Sequence, residues 1–314
     1  MLTAASPTVA SLTVASLNRT ALATRLAGPG LLVQTGPFVS RIRSSIGHVA
    51  EGIELLYGDY PLLAEDSFAD FHVGLQPSGG LRRWYKPQVN FDLDGLVPFE
   101  PLPEAHAFPM LEWGLNWCIS TRAHSWLMIH AAVVERDGCA AILPAPPGSG
   151  KSTLCAALVH RGWRLLSDEL ALLRPDDGLL VPVARPVSLK NRSIDVIRAY
   201  VPEAVLSRPV SNTTKGTVAH LKAPADSVAR VRETARPAWI VFPKYEAGAA
   251  TTMTPLTRTD TFFRVAGNAF NYSEMGARGF TTLAGTIERC AGYDFRYSDL
   301  DEAIAGFAAL EPPP

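Results

Sequence analysis

Cysteine is scarce in this chain of 314 residues. The four present, Cys118, Cys139, Cys155 and Cys290, show neither CxxC nor metal-finger spacing. That pattern excludes a zinc-finger module and leaves buried, reduced thiols as the expectation. Charge is also sparse, at 19%, and nearly cancels to a formal net charge of -1. Basic residues stand singly or in pairs such as Arg82-Arg83, so no electrostatic footprint for nucleic acid or a membrane surface can be drawn. No apolar run approaches the ~20 residues that span a bilayer. A soluble, cytoplasmic protein is the reading. Acidic residues are missing altogether from 1–50, where Arg19, Arg25, Arg41 and Arg43 occur, a faint likeness to an organelle transit peptide. Against that, Thr8-Val9-Ala10-Ser11-Leu12 recurs as Thr13-Val14-Ala15-Ser16-Leu17, which reads as a short duplication. The first dozen residues are expected to be poorly ordered.

What is plentiful is apolar: 47% of the residues are hydrophobic, enough for a well-buried core in one large or two ordinary domains. The N-terminal third mixes turn signals with short strand-like runs at 31–35, 52–57 and 70–75. Pro98, Pro101, Pro103 and Pro109 then cluster, which places a domain boundary near residue 105, between an N-terminal domain over 1–105 and a second over 106–314. Trp113 and Trp117 lie four apart on a helix predicted over 109–124, a stripe that reads as core. Beyond it come strands at 127–134 and 139–145, a helix to 160, a strand near 163–166, a turn at Asp176-Asp177-Gly178, an extended 179–189 and a strand at 238–242. Helices are predicted over 259–272, near 281–291 and over 299–310. This alternation fits an α/β or mixed-sheet nucleotide-binding domain with helices on its faces.

One motif stands out, Ala145-Pro146-Pro147-Gly148-Ser149-Gly150-Lys151-Ser152-Thr153. A short apolar strand precedes it and a helix closed by Gly162 follows, the context a phosphate-binding loop needs. Successive backbone N–H groups and a helix N-terminus make an anion cradle. Gly148, Ser149, Gly150, Lys151, Ser152 and Thr153 are the candidate nucleotide-binding residues, with Lys151 on the phosphates and Ser152 on Mg²⁺. The strict pattern starts with Gly where this chain has Ala145. The candidate cofactors are therefore ATP and Mg²⁺. Ser167-Asp168-Glu169 ends the strand at 163–166, and phosphoryl transfer needs both a carboxylate near the metal and a proton acceptor. His130 is a lone polar residue in an apolar strand, where a hydrogen-bonded core role is the ordinary one. Lys215 and His220 fall in a segment read either as a mobile flap over the phosphates or as a surface connection. Asn268 and Asn271 are spaced i, i+3 on the predicted helix, and Arg258 suits bidentate anion binding.

His130, the Gly148–Ser152 region and Arg161-Gly162-Trp163-Arg164-Leu165-Leu166-Ser167-Asp168-Glu169 together resemble HPr kinase/phosphorylase, over about 125–280. Pro255-Leu256-Thr257-Arg258 and Asn268-Ala269-Phe270-Asn271-Tyr272 extend the likeness. With Gly36-Pro37-Phe38 and Glu112-Trp113-Gly114-Leu115-Asn116-Trp117, most of the chain looks like the HprK-related kinase A subgroup found beside exosortase systems. The resemblance implies an HPr kinase/PEP carboxykinase-like P-loop domain behind a smaller mixed or β-rich N-terminal domain. It implies a kinase acting on a hydroxyl, as on a serine of a protein or peptide, with homo-oligomerisation open. It makes Asp168 the general base aided by His130, with Glu169 on the metal or the base, Lys151 catalytic on the phosphates, and Ser152, Glu169 and Asp168 as the metal-side oxygens. The chain departs from the family in having Glu169 as the second acid, and in keeping only Lys215-Gly216 of the Arg-Gly signature tied to the reverse reaction. A nucleotide hydrolase and a nucleotide-gated assembly or regulatory protein are the alternative readings.

Overall fold

The computed structural model describes residues 12–80 and 85–313. The first copy of the pentamer up to Ser11, the Arg82-Arg83 pair and nearly all of the segment expected to be poorly ordered lie outside the described residues. In the second copy, Val14–Ser16 forms a short 3₁₀ turn that buries Val14.

The N-terminal part runs α1 (Arg19–Ala27), β1 (Leu31–Thr35), β2 (Phe38–Ser44), α2 (Gly47–Leu56), β3 (Phe71–Pro77), β4 (Gln88–Leu93) and β5 (Leu102–Pro103). Its five strands form one sheet in sequence order. The β2–β3 pair is parallel, α2 providing the crossover, and the other pairs are antiparallel. The strand expected at 52–57 is therefore part of helix α2. Val49, Ile53 and Leu56 recur at helical spacing and are all buried, and this longer periodicity prevails over the short apolar run. Helix α3 (Ala107–Arg122) packs against α2 and the sheet, although it lies beyond the proline cluster. Gly52 permits the approach, since a methyl group there would overlap the Phe108 ring of α3.

The remainder begins with the hairpin β6 (Leu127–Arg136) and β7 (Cys139–Pro144), then α4 (Lys151–Val159), β8 (Arg164–Ser167) and β9 (Leu170–Leu173). There follow β10 (Leu180–Val181), β11 (Val187–Lys190), α5 (Arg192–Tyr200), the hairpin β12 (Val210–Thr213) and β13 (Gly216–Leu221), and α6 (Ala225–Ala229). The chain closes with β14 (Arg236–Tyr245), β15 (Thr252–Leu256), α7 (Arg258–Ala266), α8 (Tyr272–Arg289), β16 (Ala291–Tyr297) and α9 (Leu300–Ala308). Eight strands form the main sheet, ordered β10-β9-β6-β7-β14-β16-β15, with β8 also paired to β6. Strands β7, β14 and β16 are parallel, so their carboxyl ends share one edge, and the 145–150 loop leaves from that edge. Strands β11, β13 and β12 form a separate antiparallel sheet. The architecture is mixed α/β.

Two helix expectations need correction. The helix predicted over 259–272 stops at Ala266, and the short one near 281–291 is the second half of α8, which starts at Tyr272 and breaks helical geometry at Gly276. Between α7 and α8 the chain pairs briefly with β6: His130 N–H donates to the Asn268 carbonyl at 2.8 Å and Phe270 N–H to that of Met128 at 2.8 Å. Asn268 and Asn271 thus share no helix face, because the backbone there is satisfied by a strand rather than by its own turn.

A buried polar bracket joins α2, α3 and the segment between β10 and β11. Arg185 donates to the Glu112 carboxylate and carbonyl, both at 2.7 Å, and to Asn116 Oδ1 at 2.8 Å, while Tyr57 Oη donates to Glu112 at 2.6 Å. One apolar cluster continues across this joint, from Leu22 and Ile53 to Leu154 and Trp239.

Candidate functional site

The 145–150 loop is held from beneath by the carboxyl ends of β14 and β16. Tyr245 N–H donates to the Ser149 carbonyl at 2.8 Å, and Tyr297 Oη donates to the Gly150 carbonyl at 3.0 Å. Both loop glycines have left-handed backbone, Gly148 at φ +85° and Gly150 at φ +88°. A side chain at Gly150 would also run into the Tyr297 hydroxyl and the Tyr245 side chain, so only glycine fits there. Ser149 Oγ is buried with no hydrogen-bond partner. Helix α4 starts at Lys151, and its buried face of Leu154, Cys155, Ala156 and Leu158 anchors the N-terminus at the loop.

The acidic pair directly follows the end of strand β8, as the sequence indicates. It occupies an irregularity between β8 and β9, which pair in turn with the same strand β6: Ser167 is opposite Val133 and Leu170 opposite His130. Strands β8 and β9 are buried throughout. Asp168 is itself buried; its Oδ2 accepts from Ser188 N–H at 3.1 Å, while Oδ1 has no partner. The Ser152 hydroxyl is near enough to favour the charged form without closing a full hydrogen bond.

Glu169 lies between a histidine and a lysine. His130 Nε2 lies 3.1 Å from its Oε2, and Lys190 Nζ is 3.9 Å from Oε1. Lys151, only 7% exposed, reaches the same histidine nitrogen, at 3.2 Å. One nitrogen cannot donate to Glu169 and accept from Lys151 at once. A proton on Nε2 satisfies the carboxylate, and its absence satisfies the ammonium. The carboxylate beside His130 is therefore that of Glu169, not Asp168.

These surroundings separate two adjacent acids. Burial, then the charge of Glu169, raises the Asp168 pKa to about 6. Burial alone would raise Glu169 as well, but the His130 hydrogen bond and the Lys151 and Lys190 charges bring it down to about 2. A neighbouring pair thus holds one fixed anion and one group poised to take up a proton near neutrality.

The other candidates divide: Lys215 and His220 line the same cavity as His130 and Glu169, whereas Asn268 and Arg258 do not. Lys215 is exposed in the β12–β13 turn, where desolvation and the nearby Lys190 charge lower its pKa. His220 is buried in β13 against the Phe108 ring, and burial lowers its pKa to about 4, so it is neutral at pH 7. The segment 213–222 is a paired hairpin rather than a free flap. Asn271 is buried and spends its amide on strand β6, accepting from Met128 N–H and donating to the Trp126 carbonyl. Asn268 donates to the Arg264 carbonyl. Arg258 is not brought to this cluster. Leu256 pairs with Gly292 at the start of β16, whereas Tyr297 at its end braces the loop, about 16 Å away at ~3.3 Å per residue. Lys190 was missed in the sequence because nothing local marks it; β11 brings it to Glu169.

No protein-family model matches this chain, and no curated protein matches it.

Proposed function

We propose that this chain is an ATP-dependent phosphotransferase that moves a γ-phosphoryl group to a hydroxyl, built on a P-loop domain akin to that of HPr kinase/phosphorylase and its exosortase-associated relatives. One observation carries the reading: a buried carboxylate with a free oxygen and a pKa of about 6 lies beside a Lys–His–Glu cluster at the N-terminus of α4. The residues suit a nucleotide. The loop and the first turn of α4 offer backbone N–H groups, that of Ser149 being turned to the Pro146 carbonyl, together with the unpartnered Ser149 hydroxyl and the Lys151 ammonium. Ser152 and Glu169 would supply the few oxygens that Mg²⁺ takes from protein, the rest coming from phosphate and water, which leaves the free oxygen of Asp168 for the acceptor's proton. When bound, ATP would supply the transferable phosphoryl group and Mg²⁺ would offset the charge of its oxygens.

The chain's own residues do the rest. Lys151 exchanges His130 for a phosphate oxygen. His130, relieved of the ammonium, keeps Nε2–H on Glu169 and holds that carboxylate in place. Asp168 accepts the acceptor hydroxyl's proton at its free oxygen, and its burial keeps water from competing. All four cysteines are free and buried, which supports a cytoplasmic setting, where thiols stay reduced. Among the described residues no helix is long and apolar enough to cross a membrane.

Lys151→Ala is expected to weaken ATP binding about 10- to 100-fold, the worth of hydrogen bonds to a charged group, with an unchanged circular dichroism spectrum. Titration calorimetry reads the affinity, and near-normal binding would remove Lys151 from the site. A second expectation concerns pH. Asp168 must be ionised to act as a base, so kcat/KM falls about tenfold per unit below pH ~6, while Glu169 stays ionised across that range. A profile flat down to pH 5 would place the base elsewhere.

A further inference from the structure

A cavity of about 920 Å³ opens directly onto His130 and Glu169, and nothing in the phosphate chemistry uses it. Its size suits a small-molecule site, which runs to roughly 300–1,000 Å³. Its walls come from parts that the sequence keeps apart: the segment 98–106 with α3, His130 and Glu169 beside β6 and β9, the β11–β13 sheet with its hairpin, and the strap between α7 and α8. The α3 wall is aromatic. Phe99 packs on Trp113 with ring centroids 4.2 Å apart and edge-on to Trp117 at 4.9 Å. The tryptophans read as core in the sequence are thus cavity lining, and Trp113 is 41% exposed. Across the cavity Phe270, 49% exposed, sits 5.7 Å from the His130 ring, centroid to centroid. The backbone bonds between the strap and β6 keep it there. His220 adds a buried Nδ1 without a hydrogen-bond partner to the same lining.

We propose that the acceptor is a small organic alcohol whose apolar, ring-bearing body fills this cavity and presents its hydroxyl to Asp168. The inference rests on the phosphotransferase reading for the hydroxyl, and departs from the protein serine that the resemblance implies. The reacting oxygen must come within about 3–3.5 Å of the phosphorus. Asp168 is buried directly before Glu169, which lines the cavity, so an acceptor small enough to enter the cavity comes close to it. Exposed rings around a void lose water only when an apolar partner covers them, and the neutral His220 offers a polar contact that fixes orientation. In the transfer the acceptor O–H bond breaks and its proton goes to Asp168. The oxygen forms the new bond to the γ-phosphorus as the bond to the β,γ-bridging oxygen breaks, leaving ADP.

The test uses the full chain and 2-(2-naphthyl)ethanol as the probe, titrated by calorimetry with and without a non-hydrolysable ATP analogue. Saturable one-to-one binding is expected, weakened about tenfold or more by Trp113→Ala and by Phe270→Ala, each the loss of a large ring from a ligand contact. Phe280→Ala, an exposed ring on α8 outside the cavity, should leave it unchanged. Absence of saturable binding, or equal affinity in the Trp113 and Phe270 variants, overturns the proposal. So does phosphorylation of a Gly-Ser-Gly peptide, followed by mass, that is no slower in the Trp113 variant. The analogue titration separates the two claims. If the analogue binds and the naphthyl alcohol does not, only the acceptor class is wrong. If the alcohol binds and the analogue does not, the phosphotransferase reading falls.

Discussion

Asp168→Asn is expected to cut phosphoryl transfer by about 10²–10⁴-fold, the range for loss of a general base, with ATP affinity retained. The amide can still accept from Ser188 N–H, but it cannot take a proton from a hydroxyl. The same change should make the protein more stable at neutral pH. Asp168 titrates at about 6 in the fold against 3.8 when free, so between those values the folded chain holds a proton that the unfolded chain has lost. Stability from this group therefore declines as pH rises from about 4 to about 6, by roughly 3 kcal/mol at 1.36 kcal/mol per unit. Asparagine carries no such penalty. Its advantage should be present at pH 7 and absent below about pH 4. Urea midpoints at the two pH values and single-turnover rates at pH 7 check both halves. A variant that is as active as the parent would move the base to Glu169 or His130, and one that is inactive but no more stable would mean that burial of the charge is relieved by water.

The second large effect lies away from the chemistry. Glu112→Ala is expected to destabilise the fold by about 3–5 kcal/mol, because it strands the buried Arg185 guanidinium without its carboxylate. Tyr57 would lose its acceptor in the same substitution. Glu54→Ala removes a comparable ion pair, to Arg19, but from an exposed position, and should cost no more than about 1 kcal/mol. Denaturant unfolding of the two variants beside the parent gives the comparison. A loss under about 1 kcal/mol at Glu112 would show that the joint admits water. Because Glu112 shares α3 with Trp113 and Trp117, the joint also fixes where the aromatic wall of the cavity stands.

Much of this was legible in one dimension. The turn at Asp137-Gly138, the apolar strand, Gly148, Gly150 and the amphiphile-free helix after Lys151 are local features, each set by residues within a dozen positions. Hydrophobic runs and left-handed glycines specify such units wherever they occur, so the hairpin β6–β7, the loop and α4 follow from the sequence alone. Elsewhere local signals misled: the run at 52–57 looked extended, yet burial at Val49, Ile53 and Leu56 made it α2. The contents of the site were a tertiary decision. His130 could be assigned to Asp168 or to Glu169 only after the β6–β9 register put Leu170 opposite it. Lys190 reached Glu169 through a separate sheet, and Arg258 was carried to the far end of β16 by an antiparallel pairing. Trp113 and Trp117 had a helical stripe's spacing whether they faced a core or a void, and only the packing of α3 opposite Phe270 left the void. Residue type and spacing determined what chemistry the chain carries. Long-range register and packing decided which groups meet, because those contacts join residues whose neighbours in sequence bear no trace of them.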